Sequence, residues 1–359
     1  MQLKTLFFFL LITTSRLFGQ CPTAPMEFLT QADVNAFPTT YPGCTIIPDG
    51  VDIKIMGNNI TDLTPLQQLT TVLGAFEIRN CPNLVDLDGL ENITKIGNDP
   101  LDGFILRDLP NLINVTALSN LDSITGEFTI RTCNQLASLT GFNSLVYNNG
   151  SVIIRDNASL TSLSGLNSLS FIGETLEIVE NAILTDITAL SNVDTIVGGI
   201  EGGVFIEAND LLASLDGLGH ANTEIGSNLD ILLNGDLSLC SVPSLCKYLA
   251  APPVGAIITI SGNTTGCNTQ AEIQSGCAIL SVKDNQEMLS NLIISPNPFS
   301  EYLMIESTEN TQIIISDLIG RTEVVYVKAG INRLSTNHLA SGIYFIKSAN
   351  GKTSKLIKP

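Results

Sequence analysis

Histidine is nearly absent from this chain: 359 residues contain two, His220 and His338. Basic side chains are also scarce, with 17 Lys and Arg against 35 Asp and Glu, and only 14% of residues are charged. No G-x-S-x-G, H-E-x-x-H or G-x-x-x-x-G-K run occurs, so the usual hydrolase elbow, zinc helix and phosphate loop are missing. The eight cysteines never pair as C-x-x-C, and no histidine lies near the C-terminal four, which argues against zinc. We therefore expect no catalytic residue, no metal and no cofactor. Beyond residues 1–19, no apolar run approaches the roughly 20 residues that a membrane span requires. Residues 21–277 hold 7 Lys and Arg against 28 Asp and Glu, a net −21 that repels phosphate backbones, so nucleic acid is not an expected partner.

What the chain does have is hydrophobic residues, 44% of the total, set in a repeat. Nine short strands recur, centred on Ile55, Ile78, Leu106, Ile130, Ile154, Ile178, Ile206, Ile231 and Ile260. The steps are 23, 28, 24, 24, 24, 28, 25 and 29 residues, a period that signals a solenoid. A unit this small cannot bury its own apolar face, so successive coils must stack into one core. Strand residues alternate, with Val152 and Ile154 inward and Ile153 and Arg155 outward. After each strand, apolar residues return every third position, as in Leu160, Leu163, Leu166, Leu169 and Ile172. That period suits extended or 3₁₀-like turns rather than an α-helix. Two longer coils carry insertions at 97–103 and 197–203, both at the same phase and so on one edge.

Three residues after each strand centre runs the column Asn58, Cys81, Leu109, Cys133, Asn157, Asn181, Asn209, Asn234 and Asn263. An inward Asn there can bond backbone groups that would otherwise be buried and unpaired. This Leu-x-x-Asn/Cys pattern resembles leucine-rich repeats. With the lead-in Thr30-Gln31-Ala32-Asp33 through Tyr41-Pro42-Gly43-Cys44, residues 21–277 resemble the receptor L domain and its bacterial relatives. The resemblance implies a right-handed parallel β-solenoid used for binding rather than catalysis.

The ends read differently. Residues 1–19 have the form of an export signal, with Lys4, the apolar run Leu6 to Ile12, and Gly19 at the cleavage position. Residues 20–50 form an N-terminal cap whose helix starts at the Thr30 cap and ends before Pro38. The solenoid with its C-terminal cap occupies 51–277, and 278–290 is a polar linker. Residues 291–359 contain, in order, Ile294-Ser295-Pro296-Asn297-Pro298-Phe299, Ile313 to Arg321, and Leu339-Ala340-Ser341-Gly342-Ile343-Tyr344. These motifs resemble the C-terminal sorting domain of the type IX (Por) secretion system. That resemblance implies a small Ig-like β-sandwich directing outer-membrane export, with the type IX machinery as partner. The chain is then all-β and either secreted or held at the cell surface.

Export permits disulfides. Cys21 and Cys44 flank the cap and are expected to pair. Cys240, Cys246, Cys267 and Cys277 allow three pairings; Cys240–Cys267 with Cys246–Cys277 is favoured. Cys81 and Cys133 lie two coils apart, ~9.5 Å, beyond a disulfide's reach of about 7 Å, and are expected to be buried free thiols.

The repeat region contains four arginines, Arg79, Arg107, Arg131 and Arg155, and all four fall in one outward column on consecutive coils. Coils lie ~4.8 Å apart, so these like charges repel unless paired. One reading is pairing with Glu77, Asp108, Asp156 and Glu177. The other is a stripe for an acidic glycan or a protein ligand, with Ile105, Ile153 and Phe205 exposed beside it. The expected function is non-enzymatic binding or adhesion. Its rivals are a β-helix polysaccharide-degrading enzyme using the arginines with Asp108 and Asp156, and a structural surface stalk.

Overall fold

The computed structural model describes residues 21–199, 202–220, 223–287, 292–317, 321–348 and 353–358. The expected export signal, residues 1–19, lies outside them. The chain divides after Gln274 into two units.

The first unit is built on a ten-stranded parallel sheet in which sequential coils are neighbours. Eight pairings set the nine strand centres opposite one another in chain order, from Ile55 against Ile78 to Ile231 against Ile260. The repeat register is thus observed at every coil. A tenth strand, Met26–Phe28, pairs with Ile53–Ile55 at the N-terminal edge. It precedes the repeat and carries no repeat signature. Across the core, eight two-residue strands from Ile46–Ile47 to Glu224–Ile225 form a second parallel sheet, which the sequence pattern had blurred into period-three turns.

Between the sheets the path takes two forms. Four coils turn through 3₁₀ segments at Thr64–Leu66, Thr116–Leu118, Thr188–Leu190 and Asp216–Leu218. At Gly89, Gly141 and Gly165 the backbone instead adopts φ of +109°, +140° and +119°. A Cβ on Gly165 would sit 1.9 Å from the Leu139 carbonyl oxygen, so only glycine allows that approach between coils.

The core is apolar along its whole length. Phe76, Phe104, Phe128 and Phe142 are fully buried and pack ring to ring, with Phe128 and Phe142 centroids 4.8 Å apart edge to face. Burying each such side chain contributes ~1.5–3 kcal/mol.

From the second coil to the eighth, each strand leaves the sheet through one left-handed residue: Asn80, Asp108, Thr132, Asp156, Glu180, Ala208 and Leu233 have φ between 49° and 57°. The next residue points inward and forms a ladder. The Asn181 side-chain amide donates to the Ile154 and Val179 carbonyls, and its carboxamide oxygen accepts the Asn157 backbone N–H. Asn157, Asn209, Asn234 and Asn263 repeat the arrangement. In the earlier coils a thiol takes the amide's place: Cys133 Sγ donates to the Leu106 and Arg131 carbonyls. Asn58 does not belong to the column, because it is exposed. The first coil lacks the left-handed residue, which puts Gly57 at the ladder position; the Cys81 thiol donates to the Ile55 carbonyl of that coil.

The N-terminal helix α1 (Gln31–Thr40) begins in a capping box. The Thr30 hydroxyl accepts from Asp33 N–H, and the Asp33 carboxylate accepts from Thr30 N–H at 2.8 Å. The helix does not stop before Pro38 but passes through it. Pro38 forfeits one hydrogen bond, yet Tyr41 N–H still reaches the Phe37 carbonyl at 2.9 Å and closes the last turn. Buried Val34 and Phe37 hold α1 to the core. Cys21–Cys44 and Cys240–Cys267 are bonded, Cys246 and Cys277 are also disulfide-bonded, and Cys81 and Cys133 are free and buried. Helix α2 (Pro243–Ala250) precedes the last repeat strand, Ile258–Ser261, and α3 (Gln270–Glu287) follows it. Helix α3 takes in residues 278–287 of the stretch read as a linker.

The second unit is a sandwich of a three-stranded and a four-stranded antiparallel sheet. Phe299, Leu303, Ile305, Ile313, Ile315, Ile346 and Leu356 meet in its core.

Candidate binding face

The outer side of the ten-stranded sheet presents its side chains in columns, since parallel pairing puts equivalent residues side by side. Arg79, Arg107, Arg131 and Arg155 are direct neighbours on successive strands, as the register requires. Each has a carboxylate partner. Arg79 Nε meets Glu77 at 3.3 Å, Arg107 Nε meets Asp108 at 3.2 Å, and Arg131 Nε meets Asp156 at 3.2 Å. Arg155 contacts Asp156, Glu177 and Glu180 at 3.4, 3.2 and 3.0 Å. All four carboxylates expected as partners are engaged, so the stack of like charges is neutralised in place. Glu180 had not been anticipated: its left-handed backbone turns it towards Arg155.

The pairing uses one edge of each guanidinium. Only Arg155 donates hydrogen bonds from both terminal nitrogens, to Glu177 and Glu180. The terminal nitrogens of Arg79, Arg107 and Arg131 donate none to the described residues, and these side chains are 29%, 39% and 46% exposed. Ile105, Ile153 and Phe205 stand in the adjoining column but are half-buried, not exposed, because flanking side chains cover them. Arg107, Arg131 and Arg155 line a shallow depression of about 300 Å³ with Ile105, Ile153 and Thr129, and the carboxylates Glu127 and Glu177 line it too. Thr129 is buried and donates to Glu127.

Beyond Arg155 the column changes sign. Val179, Glu207 and Leu232 follow in it, with Glu177 and Asp230 beside them. Burial, with Asp230 and Glu177 close by, pushes the Glu207 carboxyl up from its usual range. No sequence motif announced this acidic end, which appears only once coil neighbours are aligned. Elsewhere His220 pairs with Asp194 at 3.4 Å. Among the described residues no cluster of His, Cys, Asp or Glu could hold a metal, and no helix is long and apolar enough to cross a membrane.

In the second unit, the motif residues are structural pins. The Asn297 side chain donates to the Lys355 carbonyl at 3.0 Å and accepts from Ile357 N–H at 2.9 Å, tying the first loop to the last strand. Tyr344 donates to the Ala340 carbonyl, and the terminal Lys358 ammonium caps the Thr336 and Leu339 carbonyls at 2.6 and 2.7 Å.

Residues 293–358 match the secretion system C-terminal sorting domain. Residues 43–140 match the receptor L domain. No curated protein matches the chain. The sorting domain implies export by the type IX system to the cell surface or beyond, and interaction with that machinery. The receptor L match covers the first coils, while the paired repeat register continues to Ser261. Both families are of non-catalytic kinds.

Proposed function

We propose that this is an exported, non-enzymatic binding protein whose outer sheet face takes a glycan or protein ligand. Arg79, Arg107 and Arg131 are its polar contacts, with Arg155 closing the row, and Ile105, Ile153 and Phe205 are its apolar ones. The observation that supports this reading is the set of three consecutive guanidiniums with unused terminal nitrogens, in a column beside half-buried apolar residues. Such a mixture suits recognition. It suits hydrolysis poorly, because Asp108 and Asp156 are tied in ion pairs and not placed as a free acid and base.

The test is binding of the full exported protein to a glycan array and a panel of surface proteins, with an Ile153→Asn, Phe205→Asn double variant as control. Loss of the signal in the folded variant supports the face. Undiminished binding overturns it. Release of reducing sugar from acidic polysaccharides would instead favour the enzyme.

A further inference from the structure

We propose that the ligand is a linear acidic polysaccharide lying across the strands, its acid groups taken in turn by Arg79, Arg107 and Arg131. The inference rests on the binding-face reading above and names its ligand class.

Three features lead to it. First, the open guanidinium edges are those of consecutive coils, so they form a row along the stacking direction with a step of ~4.8 Å. A ligand that uses the row must present anionic groups at one or two coil steps. A chain of sugar rings with one acid group per ring advances by about one coil per ring, or two where alternate rings turn over. An extended acidic peptide rises ~3.4 Å per residue, so its same-side carboxylates recur at ~6.8 Å and fall out of step. Second, Ile105 and Ile153 border the row and offer apolar contact to the C–H face of a sugar ring. Third, the row is closed at one end. Arg155 is consumed by three carboxylates, and Glu177, Glu207 and Asp230 lie beyond it. The raised Glu207 carboxyl agrees with crowding of like charge there. A polyanion is therefore held over three coils and turned away from the fourth.

Because the carboxylates occupy the Nε side, an arriving acid group can take both terminal nitrogens in a bidentate bond without displacing them. The site would bind one acid group per arginine and saturate at a short chain length.

The test uses uronic acid oligosaccharides of two to eight rings, their methyl-esterified neutral counterparts, and poly-glutamate, with binding measured by calorimetry at two salt concentrations. Affinity for the acidic series is expected to rise with length and then level off, to fall with salt, and to be lost on esterification. The Arg107→Gln, Arg131→Gln pair is expected to lose about ten-fold or more. Should that pair fail to fold, Arg107→Lys, Arg131→Lys keeps the charge and removes the fork, and is still expected to weaken binding. Equal binding of poly-glutamate overturns the polysaccharide. Binding of neutral glycans or a protein that survives both arginine pairs but fails in the Ile153→Asn, Phe205→Asn variant overturns the polyanion and leaves the face intact. No binding of any acidic oligosaccharide also overturns it.

Discussion

The carboxamide oxygen of Asn209 accepts the backbone N–H of Asn181, 3.2 Å away and one coil earlier. The Asn209 side-chain amide then donates to the Ile178 carbonyl at 2.8 Å. One side chain thereby satisfies a donor and an acceptor of its neighbour, both buried in the turn where the chain leaves the sheet. Replacing Asn181 by Leu keeps the forked shape of the side chain but orphans the Asn157 N–H and the Ile154 carbonyl. At ~1–3 kcal/mol per unpaired group, the variant is expected to lose about 3 kcal/mol, read from denaturant unfolding. Unchanged stability would show that the ladder is dispensable.

The two thiols in that column are expected to be silent in the folded protein. Burial pushes the Cys133 thiol up to about 12, and burial also raises Cys81. Native protein at pH 9.5 is expected to resist alkylation, whereas unfolded, unreduced protein takes up two labels. Only the unfolded chain releases these protons above about pH 9, so stability falls as pH rises from there towards 12. Labelling of native protein at the unfolded rate would contradict the burial.

Gly165→Ala is expected to be severe. The added methyl meets the Leu139 carbonyl oxygen at 1.9 Å, and φ of +119° is closed to alanine. The loss should exceed about 2 kcal/mol. In the next coil the equivalent position is Ala189, inside a 3₁₀ turn, and Ala189→Gly is expected to cost far less. Comparable melting temperatures for the two variants would refute the two-path description of the coils.

Deleting residues 291–359 is expected to leave the product in the periplasm, detected by cell fractionation. Surface display of the shortened chain would show that the sorting domain is not needed for export.

The strand register was legible because inward Ile and Leu recur at nearly constant spacing, and a slip of one residue would turn each of them outward. The arginine column followed from that register alone. What was hidden lacked periodicity. Met26–Phe28 joins the sheet as a single unrepeated strand. Asn58 has the right residue type, but its coil omits the left-handed residue and the column shifts to Gly57. The half-burial of Ile105 and Ile153 depends on neighbours' side chains, which alternation in and out does not encode. Helix α3 extends through a mixed stretch, Ala278 to Glu287, whose pattern carries no helical stripe.

The asparagine ladder also has a direction. Every oxygen points towards the preceding coil and every backbone N–H towards the next, until the Asn263 N–H is received by Asn268, a residue outside the repeats. A series of this kind can be lengthened from within: duplicating residues 152–175 inserts one donor and one acceptor together and leaves no bond open. It cannot be cut short from the C-terminal side, because the last coil kept would have lost its terminator. Coil number is thus free to vary in the middle of the array, while the closing segment has to travel with whatever coil comes last.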